Sequence, residues 1–137
     1  MVARTPSKLE VLISSFPTSF NIFPLPSTTS ATELAIPPSV AISTIPADRP
    51  IESNMREILA ILLRHEKRDE GNQRTLLEMA YKPSQTPLMR MAEDAGWVAI
   101  PGLEVLSAQG WFQFQKWTGI RPLYADARAA VMDDSIA

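Results

Sequence analysis

The side chains able to do chemistry are few, and their types narrow what this chain can carry. There is one histidine, His65, and no cysteine. Thiol catalysis, thiolate metal sites and disulfides are therefore excluded. A Ser-His-Asp triad or a multi-histidine metal site would have to be built around a single ring. His65 sits in the run Arg64-His65-Glu66-Lys67-Arg68, which continues into Asp69 and Glu70. Such mixed charge reads as a solvated helix end and loop, not as a nucleic-acid footprint. Tyr81, Gly102 and Gln109 lie in the stretch where predicted strands end and the next helix begins. In open α/β sheets, ligands bind outside the carboxyl ends of the strands. Tyr81 ends one predicted strand and Gly102 follows another, so both fall on that rim. Gln109 comes about two helical turns after Gly102, at ~1.5 Å rise per residue.

The elements that must position them follow from the hydrophobic pattern. Eight of the twelve prolines lie in the first fifty residues, so that stretch is broken into short pieces. A short helix is predicted over 8–15, capped by Thr5 or Ser7, then a strand over 19–25 closed by Pro24 and Pro26. Residues 27–30 read as a polar linker and 32–36 as one helical turn. The β-branched run over 39–44 has the look of a buried parallel strand, apolar on both faces. Met55, Ile58, Leu59, Leu62 and Leu63 make one stripe of a helix over 54–67, followed by a charged loop over 66–74. A strand is predicted over 75–81. Thr86 and Pro87 then open a helix with Leu88, Met91 and Ala92 facing inward, and Gly96 closes it. A short strand over 97–100 and a helix over 103–118 follow. In that helix Trp111, Phe112 and Trp117 are expected in the core. A last helix is expected over 124–132. The alternation predicts an α/β fold with a largely parallel sheet and helices on both faces.

The 137 residues suffice for one domain. At 45% hydrophobic, 20% charged and a net charge of -2, the composition is that of an ordinary globular domain. The longest apolar run, Ile58 to Leu63, is far too short to span a bilayer, and Met1 to Glu10 lacks an apolar signal core. An intracellular protein, cytoplasmic or nuclear, without membrane or direct nucleic-acid partners, is the expectation. Of the five glycines none forms G-x-G-x-x-G, although a doubly wound domain normally opens with a strand and such a turn.

Three stretches, in order, resemble the shikimate and quinate dehydrogenase family. Leu77-Glu78-Met79-Ala80-Tyr81-Lys82-Pro83-Ser84-Gln85-Thr86-Pro87-Leu88 is similar to its D-x-x-Y-x-P-x-x-T-P-L signature. Gly102-Leu103-Glu104-Val105-Leu106-Ser107-Ala108-Gln109 resembles D-G-x-G-M-L-x-x-Q, and Phe114-Gln115-Lys116-Trp117-Thr118-Gly119 resembles F-x-x-W-T-G. Upstream, Arg4-Thr5 is similar to the family's N-R-T turn and Ser43-Thr44-Ile45-Pro46 to its S/A-T-x-P loop. The resemblance is nearest to fungal quinate repressors, in Ser43 to Pro50, Leu77 to Pro83 and Gly110 to Phe114.

This resemblance implies a partial doubly wound, Rossmann-like domain, residues 1–137, whose first strand and glycine turn lie upstream, with a substrate domain upstream again. It implies that Gln109 and Tyr81 face a shikimate- or quinate-type acid. It further implies that Arg4, Thr5, Thr44 and Gly102 face NADP, with the guanidinium fork of Arg4 and the hydroxyl of Thr5 suited to a phosphate dianion. Ala3, Pro101, Glu104 and Val105 depart from the family pattern at cofactor-facing positions. The family's catalytic lysine and aspartate have no match here, and Lys8, Lys82 and Lys116 do not replace them. The chain alone is thus expected neither to hold NADP nor to turn over substrate. Its implied role is metabolite sensing in the control of quinate catabolism, with the upstream domains as partners. The alternative is part of an NADP-dependent shikimate or quinate dehydrogenase.

Overall fold

The computed structural model describes residues 1–65 and 73–133. The predicted charged loop over 66–74 lies outside them, apart from Gln73 and Arg74. The chain divides into two units, Met1–Ser39 with Pro50–Asn72, and Val40–Arg49 with Gln73–Ala137.

Among the described residues, the first unit holds the helices α1 (Pro6–Ser14), α2 (Thr28–Thr32) and α3 (Ser53–Arg64). α3 turns one apolar stripe inward, burying Ile58, Leu62 and Leu63. Ile58 and Leu62 cluster with Leu25 and Ala31. Each large aliphatic side chain in that cluster contributes about 1.5–3 kcal/mol. Residues 19–25 form no strand, contrary to the pattern. Pro24 and Pro26 have no N–H to give a ladder. The segment is held at its far end instead, where the Leu25 N–H donates to the Met1 carbonyl at 2.9 Å and the Met1 ammonium donates to the Phe23 carbonyl at 2.7 Å. The expected linker over 27–30 is the start of α2, because Ser27 and Ser30 cap each other reciprocally. Their mutual bonds satisfy the first-turn donors that a short helix otherwise leaves open.

The second unit is a three-stranded parallel sheet in the order β1 (Val40–Ser43), β2 (Thr75–Glu78), β3 (Val98–Ile100), with α4 (Pro87–Asp94), α5 (Gly102–Thr118) and α6 (Tyr124–Met132). The register places Ser43 beside Glu78 and Leu77 beside Ile100. This is the expected parallel α/β, Rossmann-like arrangement. β2 is central, and its alternate residues Leu76 and Glu78 are both buried. β1 is an edge strand and is not apolar-buried on both faces: Val40 and Ile42 are 57% and 66% exposed. Thr86 caps α4 as expected, its hydroxyl accepting from the Met89 N–H. Met89 rather than Met91 is buried with Leu88 and Ala92, since the i, i+1, i+4 set rolls the helix slightly further round. Gly96 closes α4 at φ 77°, a left-handed turn that costs a glycine nothing.

The aromatics of α5 are a second correction. Phe112 and Trp117 are 64% and 77% exposed. Successive residues step ~100° around a helix, so four aromatics within seven residues cannot share one face. Trp111 alone turns toward α6. Its indole N–H donates to the Pro122 carbonyl at 2.8 Å, Arg121 stacks over its ring, and Tyr124 meets it edge-on.

Candidate functional site

The carboxyl ends of the three strands gather the residues of interest in the second unit. Thr44 follows β1, Tyr81 lies three residues past β2, and Gly102 opens α5 just past β3. Thr44 is exposed and Tyr81 is half-exposed.

Glu78 organises this edge. It is the last residue of β2 and only 1% exposed. Its Oε1 accepts from the Ala80 N–H at 3.1 Å, and its Oε2 accepts from the Thr86 hydroxyl at 2.8 Å. The same hydroxyl accepts from the Met89 N–H at 3.2 Å. One buried carboxylate thus joins the strand end, the start of the following loop and the cap of α4. Buried polar groups are retained only when paired in this way. The sequence reading did not single out Glu78. The available signal was a lone acid in the apolar run Leu76-Leu77-Glu78-Met79, with Thr86-Pro87 eight residues on.

Gly102 has a packing reason of its own. A Cβ built there would lie 2.4 Å from the Ala80 carbonyl oxygen and 3.1 Å from the Tyr81 nitrogen. Its φ is not positive, so the glycine serves close approach and not an unusual turn. The first turn of α5 therefore rests directly on the backbone that carries Tyr81. Gln109 is exposed. Seven residues after Gly102, it sits ~10 Å up the axis and within about 20° of the same line. Gly102 and Tyr81 are thus brought together, with Gln109 two turns above on the same side of α5.

Glu104 and Arg128 form a bidentate ion pair between α5 and α6, with the Arg128 Nε donating to Oε1 and Oε2 at 2.9 and 2.8 Å and Nη2 completing the fork. The pair holds the Glu104 carboxyl below its ordinary 4.5 through the Arg128 hydrogen bond, and raises Arg128. A group whose folded pKa is depressed stabilises above its unfolded value, and this is lost as pH falls through the folded one. The α5–α6 contact should therefore be constant from neutral pH to about 5, then loosen below 4.5. Trp111 fluorescence against pH would report it, and Glu104→Gln should remove the acid step. The step should be small, because exposed pairs contribute little.

The dinucleotide-facing candidates of the first unit are Arg4 and Thr5. Thr5 precedes α1 without a side-chain cap bond. Arg4 pairs with Glu52 at 3.8 Å, both half-exposed. An incoming phosphate would have to compete with that carboxylate. In the second unit the space beside the Cα of Gly102 is filled by Ala80. These residues supply a fork and hydroxyls for a phosphate, and no glycine-rich turn precedes a helix among the described residues. Groups of His, Asp and Glu fit to hold a metal are likewise absent among the described residues, and no helix there is long and apolar enough to cross a membrane.

Residues 102–132, the α5–α6 pair, match the family model described as Shikimate 5'-dehydrogenase C-terminal domain. The solved dehydroquinate dehydratase and shikimate dehydrogenase of S. pombe AroM is similar over 96% of this chain and 24% of its own, with 30% identity and a TM-score of 0.81. Mycobacterium tuberculosis shikimate dehydrogenase is similar over 95% of this chain and 44% of its own, with 25% identity and a TM-score of 0.58. The Thermus thermophilus shikimate 5-dehydrogenase, solved with NADP(H) and shikimate, shares the fold at 22% identity, a TM-score of 0.63 and 43% of its length. The chain spans less than half the length of each of these proteins. With its last two helices matched to that domain and its parallel sheet shared with those enzymes, the chain is similar to the C-terminal region of shikimate dehydrogenases.

Proposed function

We propose that this region reads a shikimate- or quinate-type acid in a quinate-repressor-like protein, serving transcriptional control of quinate catabolism rather than turnover. One contrast carries the reading. The rim bearing Tyr81 is fixed by Glu78, Thr86 and Gly102, whereas Glu104, at a position the family turns toward its cofactor, is committed to Arg128. Gln109 and Tyr81 are the proposed contacts for the polyol acid, which needs several neutral hydrogen-bonding groups. The upstream domains complete the pocket, so affinity for the chain alone should be near millimolar, about -4 kcal/mol.

The second reading is part of an NADP-dependent shikimate or quinate dehydrogenase, in which Arg4, Thr5, Thr44 and Gly102 face the dinucleotide. The likeness to the S. pombe enzyme over 96% of the chain favours it. Amide-shift titrations separate the two. Sensing predicts shifts at Gln109 and Tyr81 with quinate or shikimate and none with NADP. The dehydrogenase reading predicts that NADP shifts Arg4, Thr5, Thr44 and Gly102. Shifts with neither acid at Gln109 and Tyr81 would sink the site.

A further inference from the structure

The side chain that shapes the candidate rim most is one that faces no ligand. Between the end of β2 and the start of α4 the chain must turn through residues 79–85, and Tyr81 lies in that turn. Both ends of the turn are held by the same carboxylate. Glu78 Oε1 takes the Ala80 N–H, the residue just before Tyr81, and Oε2 takes the hydroxyl of Thr86, the residue that closes the turn. From the other side Gly102 lies so close that a Cβ there would be 2.4 Å from the Ala80 carbonyl oxygen and 3.1 Å from the Tyr81 nitrogen. The peptide before Ala80 is thereby held through its N–H by Glu78, and the next one, between Ala80 and Tyr81, lies against the start of α5. A half-exposed tyrosine on an otherwise free turn would sample many orientations. Here the residue before it is tied to Glu78 through its N–H, and the hydroxyl that closes the turn is tied to the same carboxyl by a buried bond.

We propose that Glu78 is a positioning residue for the metabolite rim: it sets the reach of Tyr81, and through it ligand affinity, without touching the ligand. The proposal rests on the reading of Tyr81 and Gln109 as ligand contacts. The two carboxyl oxygens of Glu78 each accept one bond, whereas an amide of the same shape has one accepting oxygen and offers N–H groups on the other side. Glu78→Gln therefore keeps the volume and one bond and releases one end of the turn.

The test is a quinate and shikimate titration of the full chain followed by amide shifts, on the unaltered protein, Glu78→Gln, Tyr81→Ala and the double variant, with unfolding midpoints measured alongside. The expected result is about fivefold weaker binding in Glu78→Gln, with the shift at Gln109 kept and that at Tyr81 reduced. In the Tyr81→Ala background Glu78→Gln should then have no further effect, because contacts acting through one residue are not additive. A merely structural role would weaken binding equally in both backgrounds and shrink both shifts together, which would overturn the proposal while leaving the ligand site standing. Binding unchanged in Glu78→Gln would overturn it too. No shifts in the unaltered chain would remove the ligand site, and the positioning role with it.

Discussion

Gly102→Ala is expected to destabilise the second unit by about 1–2 kcal/mol net, although alanine is the better helix former. Two effects oppose each other at this position. Replacing a helical glycine gains up to about 1 kcal/mol through propensity. The added methyl, however, would sit 2.4 Å from the Ala80 carbonyl oxygen and 2.7 Å from its carbon. Those are backbone atoms of the strand end and cannot swing aside like a side-chain tip. Either α5 or the turn carrying Tyr81 must move, and overpacking of this kind costs about 1–3 kcal/mol, sometimes more. Gly110, on the same helix, is the internal control. A Cβ there meets nothing within 4 Å, so Gly110→Ala should stabilise by up to about 1 kcal/mol. Thermal unfolding of the two variants should therefore move in opposite directions. Equal shifts of one sign would show that the contact between α5 and β2 is not as tight as described.

Glu78→Ala should have the larger effect, about 4 kcal/mol. The loss has two parts. Removing the acceptor strands the Ala80 N–H and the buried Thr86 hydroxyl, and a buried donor left unpaired costs about 1–3 kcal/mol. The truncation also leaves a hole at a position 1% exposed to solvent, adding a cavity term. Against a typical total stability of about 5–15 kcal/mol, that is enough to lose cooperative unfolding of the sheet. Denaturant titration would show it as a lower midpoint. Glu78→Gln should cost only about 1 kcal/mol by the same measure, since volume and one bond remain. A Glu78→Ala variant as stable as Glu78→Gln would contradict this account of the buried carboxylate.

The elements that could be read from sequence were those marked by local chemistry. Thr86-Pro87 and Gly96 bracket α4 because a cap, a preset φ and a left-handed glycine are properties of single residues. The stripe of α3 was visible because its apolar positions recur at helical spacing. Residues 19–25 misled because aromatic and β-branched content suggests a strand, while prolines on both sides and the absence of a neighbour decide otherwise. Ser27 and Ser30 were missed because the reciprocal cap is usually announced by Glu or Gln at the fourth place. Phe112 and Trp117 were misplaced because composition says how apolar a helix is, and only packing says which side is covered. On the site, the approach of Gly102 to the chain at Tyr81 came within reach of motif spacing. The carboxylate of Glu78 bonding across the turn and the pairing of Glu104 with Arg128 did not, because their partners lie eight and twenty-four residues away.

The contact at Gly102 has a consequence for how such sequences can diverge. A residue with any side chain at that place demands room that only the stretch after β2 can yield. Because the opposing atoms are main chain, no exchange of the side chain at position 80 can make that room, and position 102 is closed to change by itself. Insertions before Ala80 would lift the carbonyl from the helix, and insertions at 82–85 would stretch the span that the Glu78 carboxyl closes between Ala80 and Thr86. In a set of descendants of this chain, the length of this turn and the glycine should be kept together.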